Sequence, residues 1–166
     1  MNKGNFSLGL LVTLGLAATT LAQADTAKPG CIALKTVAEV EESFVNERGE
    51  QSVRLKAAAK VVPGDQVIWT VTAANVCDKA ADRVFIDNPV PNQMTYVADS
   101  ATEVGAEVLF SLDGARFATP RDLLIKSADG TARAARPDEY THIRWNLRNP
   151  IAPGQMAIAR FRATLK

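Results

Sequence analysis

The sequence has one histidine, two cysteines and two tryptophans in 166 residues, and its formal net charge is only +1. Each scarcity excludes something. With 19 Lys+Arg against 18 Asp+Glu there is no basic excess to neutralise a phosphate backbone, so nucleic acid is not an expected partner. One His and two Cys cannot complete a four-ligand zinc site without carboxylates, and no Cys-x-x-Cys pair exists. No glycine pattern of the Walker or Rossmann type is present to hold a nucleotide. No cofactor is therefore expected. What the sequence does contain is enough Val, Leu, Ile and Phe for a packed core, in a length that fits one domain.

The apolar residues are concentrated first in a leader. Met1-Asn2-Lys3 places one positive charge before an apolar run over residues 6–21, and Ala22-Gln23-Ala24 supplies the small residues of a cleavage site before Asp25. This is the three-part pattern of a secretory signal peptide. The rival reading, a membrane anchor, fits less well. Ser7, Gly9, Thr13, Gly15, Thr19 and Thr20 interrupt the run, and a spanning helix needs about 20 predominantly apolar residues. A lipoprotein is excluded because Lys28-Pro29-Gly30 precedes Cys31. The expected organisation is a signal peptide at 1–24, a short segment at 25–30 and one module at 31–166. No later stretch can span a bilayer, so a periplasmic or extracellular location is expected after cleavage at Ala24.

Removing the leader removes Lys3 and no acid, leaving 18 bases and 18 acids. They are unevenly spread: residues 25–115 hold 8 bases and 14 acids, residues 116–166 hold 10 and 4. In one compact domain the two stretches are expected to pair across the fold. The alternative is a weakly basic face that meets an anionic envelope polymer. Cys31 and Cys77 both survive the cut, and an oxidising compartment permits a bridge between them. Closing a loop of about 50 residues would contribute roughly 4 kcal/mol on the chain-entropy model. Two free thiols are the competing reading.

The clearest strand is Gln66–Asn75, where Val67, Trp69, Val71 and Ala73 alternate with Ile68, Thr70, Thr72 and Ala74. Residues 156–165 alternate likewise, with Ala157, Ala159, Phe161, Ala163 and Leu165 on one face and Arg160, Arg162 and Thr164 on the other. Pro63-Gly64-Asp65 and Pro153-Gly154-Gln155 are turn signals before these two strands, Pro pre-setting φ and Gly allowing the tight turn. Shorter strands are expected over 51–58, 83–87, 94–97, 107–111 and 142–147, with Asp113-Gly114 at a hairpin tip. Residues 31–44 are ambiguous, since Ile32 and Leu34 alternate but Val37, Val40 and Phe44 are nearly helical in spacing; Ala57-Ala58-Ala59 also tempts a helix. Short strands with regular turn signals predict an all-β fold, a sandwich of two packed, mainly antiparallel sheets. Asn75 is positioned for an Asx turn where its strand ends. Trp69 and Trp145 are expected in the core, a carbohydrate platform being the sharper alternative.

The ordered landmarks carry a resemblance. They are Val62-Pro63-Gly64-Asp65, Val67-Ile68-Trp69-Thr70-Val71-Thr72 with Asn75, Ile86-Asp87-Asn88-Pro89-Val90-Pro91 and Met94-Thr95-Tyr96-Val97-Ala98-Asp99-Ser100. Phe110-Ser111-Leu112-Asp113-Gly114, Tyr140-Thr141-His142-Ile143-Arg144-Trp145 and Ile151-Ala152-Pro153-Gly154 follow. In that order they resemble the bacterial conserved-repeat family known as domain of unknown function eleven, over residues 31–166. The resemblance implies an immunoglobulin-like β-sandwich found in exported and envelope proteins, often in tandem. It implies no active site. One module rather than an array is expected here, and Val76-Cys77 follows Asn75 in place of small turn residues.

Catalytic readings find little purchase. His142 alternates onto the face opposite Ile143 and Trp145; Ser100 and Ser111 are candidate nucleophiles, but no Gly-x-Ser-x-Gly elbow exists. Glu103, Glu107, Asp113 and Asp138 offer carboxylates, and nothing in their spacing selects a glycosidase pair. Asp78, Asp82, Asp87 and Asn88 are the calcium candidates, without an Asp-x-Asp-x-Asp-Gly loop. The expectation is a non-catalytic exported module with a structural role or an envelope protein or glycan as partner, recognised by loops, a sheet edge or the basic face of the last strand. The alternative is an enzyme or accessory domain acting on envelope glycans or peptides.

Overall fold

The computed structural model describes residues 30–102 and 105–166. The signal peptide expected at 1–24, the segment 25–29 and Glu103 lie outside the described residues. Within them run ten strands: β1 (Ile32–Val45), β2 (Gln51–Ala57), β3 (Gln66–Asn75), β4 (Phe85–Pro89), β5 (Met94–Tyr96), β6 (Ala106–Ser111), β7 (Leu124–Lys126), β8 (Ala132–Ala134), β9 (His142–Leu147) and β10 (Met156–Leu165). A short 3-10 turn, Pro137–Glu139, precedes β9. The pairings among these strands are antiparallel. One sheet runs β2-β1-β3-β10-β5, the second β4-β9-β6, and β7-β8 form a small separate hairpin.

The two larger sheets pack face to face, as the alternation predicts. From the first sheet, β3 contributes Val67, Val71 and Ala73, and β10 contributes Ala159, Phe161 and Ala163. The second sheet answers with Ile86, Phe110, Ile143 and Trp145. The Phe161 ring joins the layers: its centroid lies 6.2 Å from Trp69 in its own sheet and 6.2 Å from Trp145 across the interface. Tyr96, Phe110 and Tyr140 form a second aromatic cluster, with centroids 4.4–5.8 Å apart. Both tryptophans thus serve the core, Trp145 fully and Trp69 partly buried.

The strand ends differ from expectation for local reasons. The strand expected at 83–87 begins instead at Phe85, because Arg83 adopts φ 52°, a left-handed conformation that a strand cannot continue through. The ambiguous stretch 31–44 is one strand, and Ala57 ends β2 without a helix. β1 is long because it has two jobs. Residues Ile32 to Glu39 pair with β3, whereas Glu39 to Val45 pair with β2, so its second half leaves the sandwich as a two-stranded ribbon. The ribbon tip is tied by the Asn46 side chain, whose Oδ1 accepts from Arg48 and Glu50 N–H at 2.9 Å each.

The Cys31–Cys77 bridge is formed, with Cα atoms 5.1 Å apart. It staples the far end of the β1–β3 ladder, beside the Ile32↔Asn75 pair. Asn75 is buried there with its polar groups satisfied. Its Oδ1 accepts from Cys77 N–H at 3.0 Å, the expected Asx turn, while Nδ2 donates to Lys79 O at 2.7 Å and Ile151 O at 2.8 Å. Its backbone N–H and C=O meet Gln155 and Gly154. One side chain therefore docks the turn before β10 onto the end of β3. That turn and the one at Pro63 share a form: Gly154 (φ 71°) and Gly64 (φ 97°) occupy the positive-φ position, with Gln155 N–H returning to Ala152 O and Asp65 N–H to Val62 O. Asp65 adds a side-chain acceptor for Val62 N–H at 2.8 Å.

Candidate interaction surface

Among the described residues, the catalytic candidates come together only around the Asp113-Gly114 turn. Register places Ser111 directly opposite His142, and Asp113 lies beside Ser111. The wiring is that of a turn lock. The Ser111 hydroxyl is buried, donates to Asp113 Oδ1 at 3.0 Å and accepts from Gly114 N–H at 2.9 Å. Asp113 also accepts from Ala115 and Arg116 N–H, and these donors hold its carboxyl at about 2. His142 Nδ1 lies 2.9 Å from the Thr141 hydroxyl, and its ring covers Gly114 so closely that a Cβ there would stand 2.8 Å from Cε1. The acid orients the serine rather than the histidine, the reverse of a hydrolase relay. The arms of this hairpin close through one bridge, Phe110↔Ala118, and not a full second strand.

The remaining candidates are dispersed. Ser100 Oγ accepts from Arg162 N–H at 2.9 Å and donates to Val97 O, fixing a loop. Glu107 meets Asn146, and Asp138 pairs with Arg136. Of the calcium candidates, Asp87 binds Arg144 in a two-pronged pair at 2.6 and 2.7 Å, and Asn88 turns its amide onto Pro89 O. Arg144 is also sandwiched between the rings of Phe85 and Phe117. Among the described residues no three His, Cys, Asp or Glu side chains are grouped to hold a metal ion, and no helix is long and apolar enough to cross a membrane.

The basic strand face is more informative. Arg160 and Arg162 project from the outer face of the five-stranded sheet, as the alternation of β10 predicts. Register sets out that face as columns. β10 supplies Met156, Ile158, Arg160 and Arg162; β3 supplies Ala74, Thr72, Thr70 and Ile68; β1 supplies Ala33, Lys35, Val37 and Glu39. Further along, Glu41 stands opposite Leu55, Ser43 opposite Val53 and Val45 opposite Gln51. Met156 (58%), Ile158 (41%), Leu55 (41%), Val53 (60%) and Val45 (58%) are exposed, so aliphatic side chains flank the arginines on both sides. Met and Arg, which protein interfaces favour, stand here beside aliphatic side chains and the charges of Lys35, Glu39 and Glu41.

Ion pairs pattern this surface. Arg162 pairs with Glu41 across β3, and the pair roofs Ile68, which is buried although it points away from the core. The guanidinium hydrogen bond holds the Glu41 carboxyl below its usual value and raises Arg162 in turn. This pair and Asp87–Arg144 join the acidic early chain to the basic late chain, whereas Glu42 with Arg54 and Lys56, and Arg133 and Arg136 with Asp138 and Glu139, pair within one stretch. The Arg160 guanidinium donates only to the Thr70 hydroxyl, at 3.2 Å, among the described residues. A groove of about 380 Å³ runs between Leu55, Ile68, the 99–102 loop and the two arginines.

Edges matter for strand addition. β10 is covered by β3 on one side, and on the other β5 with residues 97–102 covers Arg160 to Leu165. The edges open among the described residues of this sheet include β2 and residues 33–37 of β1. Sequence reasoning finds Arg160 and Arg162 but misses Glu39, Glu41, Leu55 and Val53. Their place beside the arginines depends on strand order, which periodicity does not encode. Compared with protein-family models, curated proteins and solved structures, the chain matches none of them.

Proposed function

We propose that the chain is an exported, non-catalytic immunoglobulin-like module of the bacterial cell envelope, and that it works by binding envelope protein or glycan through the outer face of its five-stranded sheet. The carrying observation is that face: exposed Met156, Ile158 and Leu55 beside Arg160 and Arg162, on a strand that β3 pairs along its length. The leader-like sequence at 1–24 supports export, and the formed disulfide is compatible with an oxidising compartment. The order of turn and strand landmarks, which resembles the conserved-repeat family, supports the envelope assignment. A rigid sheet face needs little reordering on binding, so its apolar area contributes to affinity with a small entropic cost.

Cosedimentation with isolated cell envelopes tests this reading. The wild-type chain is expected in the pellet, Ile158→Asp in the supernatant, and the control Leu124→Asp, on the exposed β7–β8 hairpin, in the pellet. Equal behaviour of all three, or no pelleting of the wild type, overturns it.

A further inference from the structure

We infer that the outer face of the five-stranded sheet is self-complementary and joins two copies of this chain in a face-to-face dimer. The inference rests on the same face as the envelope reading and commits to a second copy as its occupant, so dimer and envelope partner compete for it. Its basis is the arrangement of charge. The column of β10 carries Arg160 and Arg162, the column of β1 carries Glu39 and Glu41 at one end and Lys35 toward the other, and β3 between them shows only neutral side chains: Gln66, Ile68, Thr70, Thr72 and Ala74. A two-fold axis lying in the interface along β3 exchanges the outer columns and keeps each row level. Arg162 then faces Glu39 of the second copy, and Glu39 faces Arg162 of the second copy. The same operation lays Ile158 over the methylene stem of Lys35 and Met156 over Ala33. The short side chains of Thr70, Thr72 and Ala74 meet their own copies on the axis, where close approach is needed.

Other self-pairings are disfavoured by the same charges. An in-plane axis across the strands stacks Arg160 and Arg162 on themselves and Glu39 and Glu41 on themselves, and like charges brought together cost several kcal/mol. Antiparallel addition at the free edges centres on Lys35 against Lys35, or on Arg54 against Arg54. The three strands that share these rows, β1, β3 and β10, set the size of the face. Three strand widths at ~4.8 Å by ten residues at ~3.3 Å give roughly 475 Å² per copy, or roughly 950 Å² in total, the size of a weak, transient interface. Strands aligned within about 30° are the ordinary geometry for two packed sheets. An interface of this size with charged pairs near its centre predicts a dissociation constant on the order of micromolar, weakened by salt.

Sedimentation equilibrium of the purified mature chain, from about 1 to 100 μM, reads the result. The wild type is expected to pass from monomer to dimer. Arg162→Glu and Glu39→Arg are each expected to weaken the dimer at least ~10-fold, because each sets like charges opposite one another. An equimolar mixture of the two variants restores a dimer. The carboxylate introduced by R162E in one copy then faces the guanidinium introduced by E39R in the other, and the native Glu39–Arg162 pair survives on the second side. That rescue cannot come from misfolded chains. A wild type that stays monomeric overturns the inference, as do single variants that dimerise like wild type, or a mixture that fails to restore pairing. Envelope cosedimentation of Ile158→Asp, measured on the same preparations, separates the two readings. A monomeric wild type that still pellets loses only the dimer, and a dimer that does not pellet loses only the envelope role.

Discussion

Reducing the Cys31–Cys77 bridge is the perturbation whose size follows most directly from the chain. The bridge spans 46 residues, and the chain-entropy relation gives about −13.5 cal/mol/K for a loop of that length, or ~4 kcal/mol at 25 °C. The contribution acts through the unfolded ensemble, since the folded β1–β3 ladder already brings the two Cα atoms to 5.1 Å. A domain of this size has a stability of about 5–15 kcal/mol, so the reduced protein is expected to stay folded in dilute buffer but with much of its margin gone. With a urea slope of ~2 kcal/mol/M, the unfolding midpoint falls by ~2 M on reduction, and the slope rises because the reduced unfolded chain is more expanded. Parallel urea melts of the oxidised protein, the reduced protein and the Cys31→Ser/Cys77→Ser double variant measure this. Oxidised and reduced midpoints within ~0.5 M of each other, at equal slope, would refute the assignment of a stabilising staple.

Three further outcomes are expected. Asn75→Ala removes a side chain making three hydrogen bonds in a buried site, which should cost about 3 kcal/mol and lower the thermal midpoint by ~10 °C; a shift under ~3 °C contradicts the docking role. Asp113 and Glu139 titrate at about 2 in the folded protein, Asp113 held down chiefly by Arg116 N–H and Glu139 by the Arg133 guanidinium. Folded values below unfolded ones mean that both carboxylates contribute stability above about pH 4, and that this is lost as pH falls toward 2. Thermal melts across that window should show the decline, and Asp113→Asn should flatten part of it; an unchanged profile contradicts the turn lock. Gly114→Ala should destabilise more than Gly64→Ala, because both sit at positive φ but only Gly114 meets a ring. Adding His142→Ala should recover the difference, so a double-mutant cycle without coupling contradicts the ring-over-glycine contact.

How much can be read from the sequence depends on how each residue is buried. β3 and β10 are legible because each turns one face to the core, so Val67 to Ala73 and Ala157 to Leu165 alternate, with Ile68, buried on the outer face, as the exception. β1 is not, because it passes from the sandwich into a ribbon. Ala38 and Val40 pack against the core while Val45, at its far end, is exposed, and the pattern blurs toward a helical spacing. The β7–β8 hairpin escapes pattern reading because its three-residue strands, Leu-Ile-Lys and Ala-Arg-Ala, are too short to show a period. At the surface, the outward direction of Arg160 and Arg162 is a property of one strand and is legible. Glu39 and Glu41 join them only through the order β1-β3-β10, a long-range fact that local pattern does not contain.

Site-specific photo-cross-linking in the living cell tests the working face most directly. A benzophenone side chain placed at Ile158, in the middle of the outer face, is predicted to give covalent adducts, with envelope material from a free face and with a second copy from a paired one, whereas the same probe at Leu124 on the β7–β8 hairpin gives none. Adducts from Leu124 alone, or from neither position, would contradict the account.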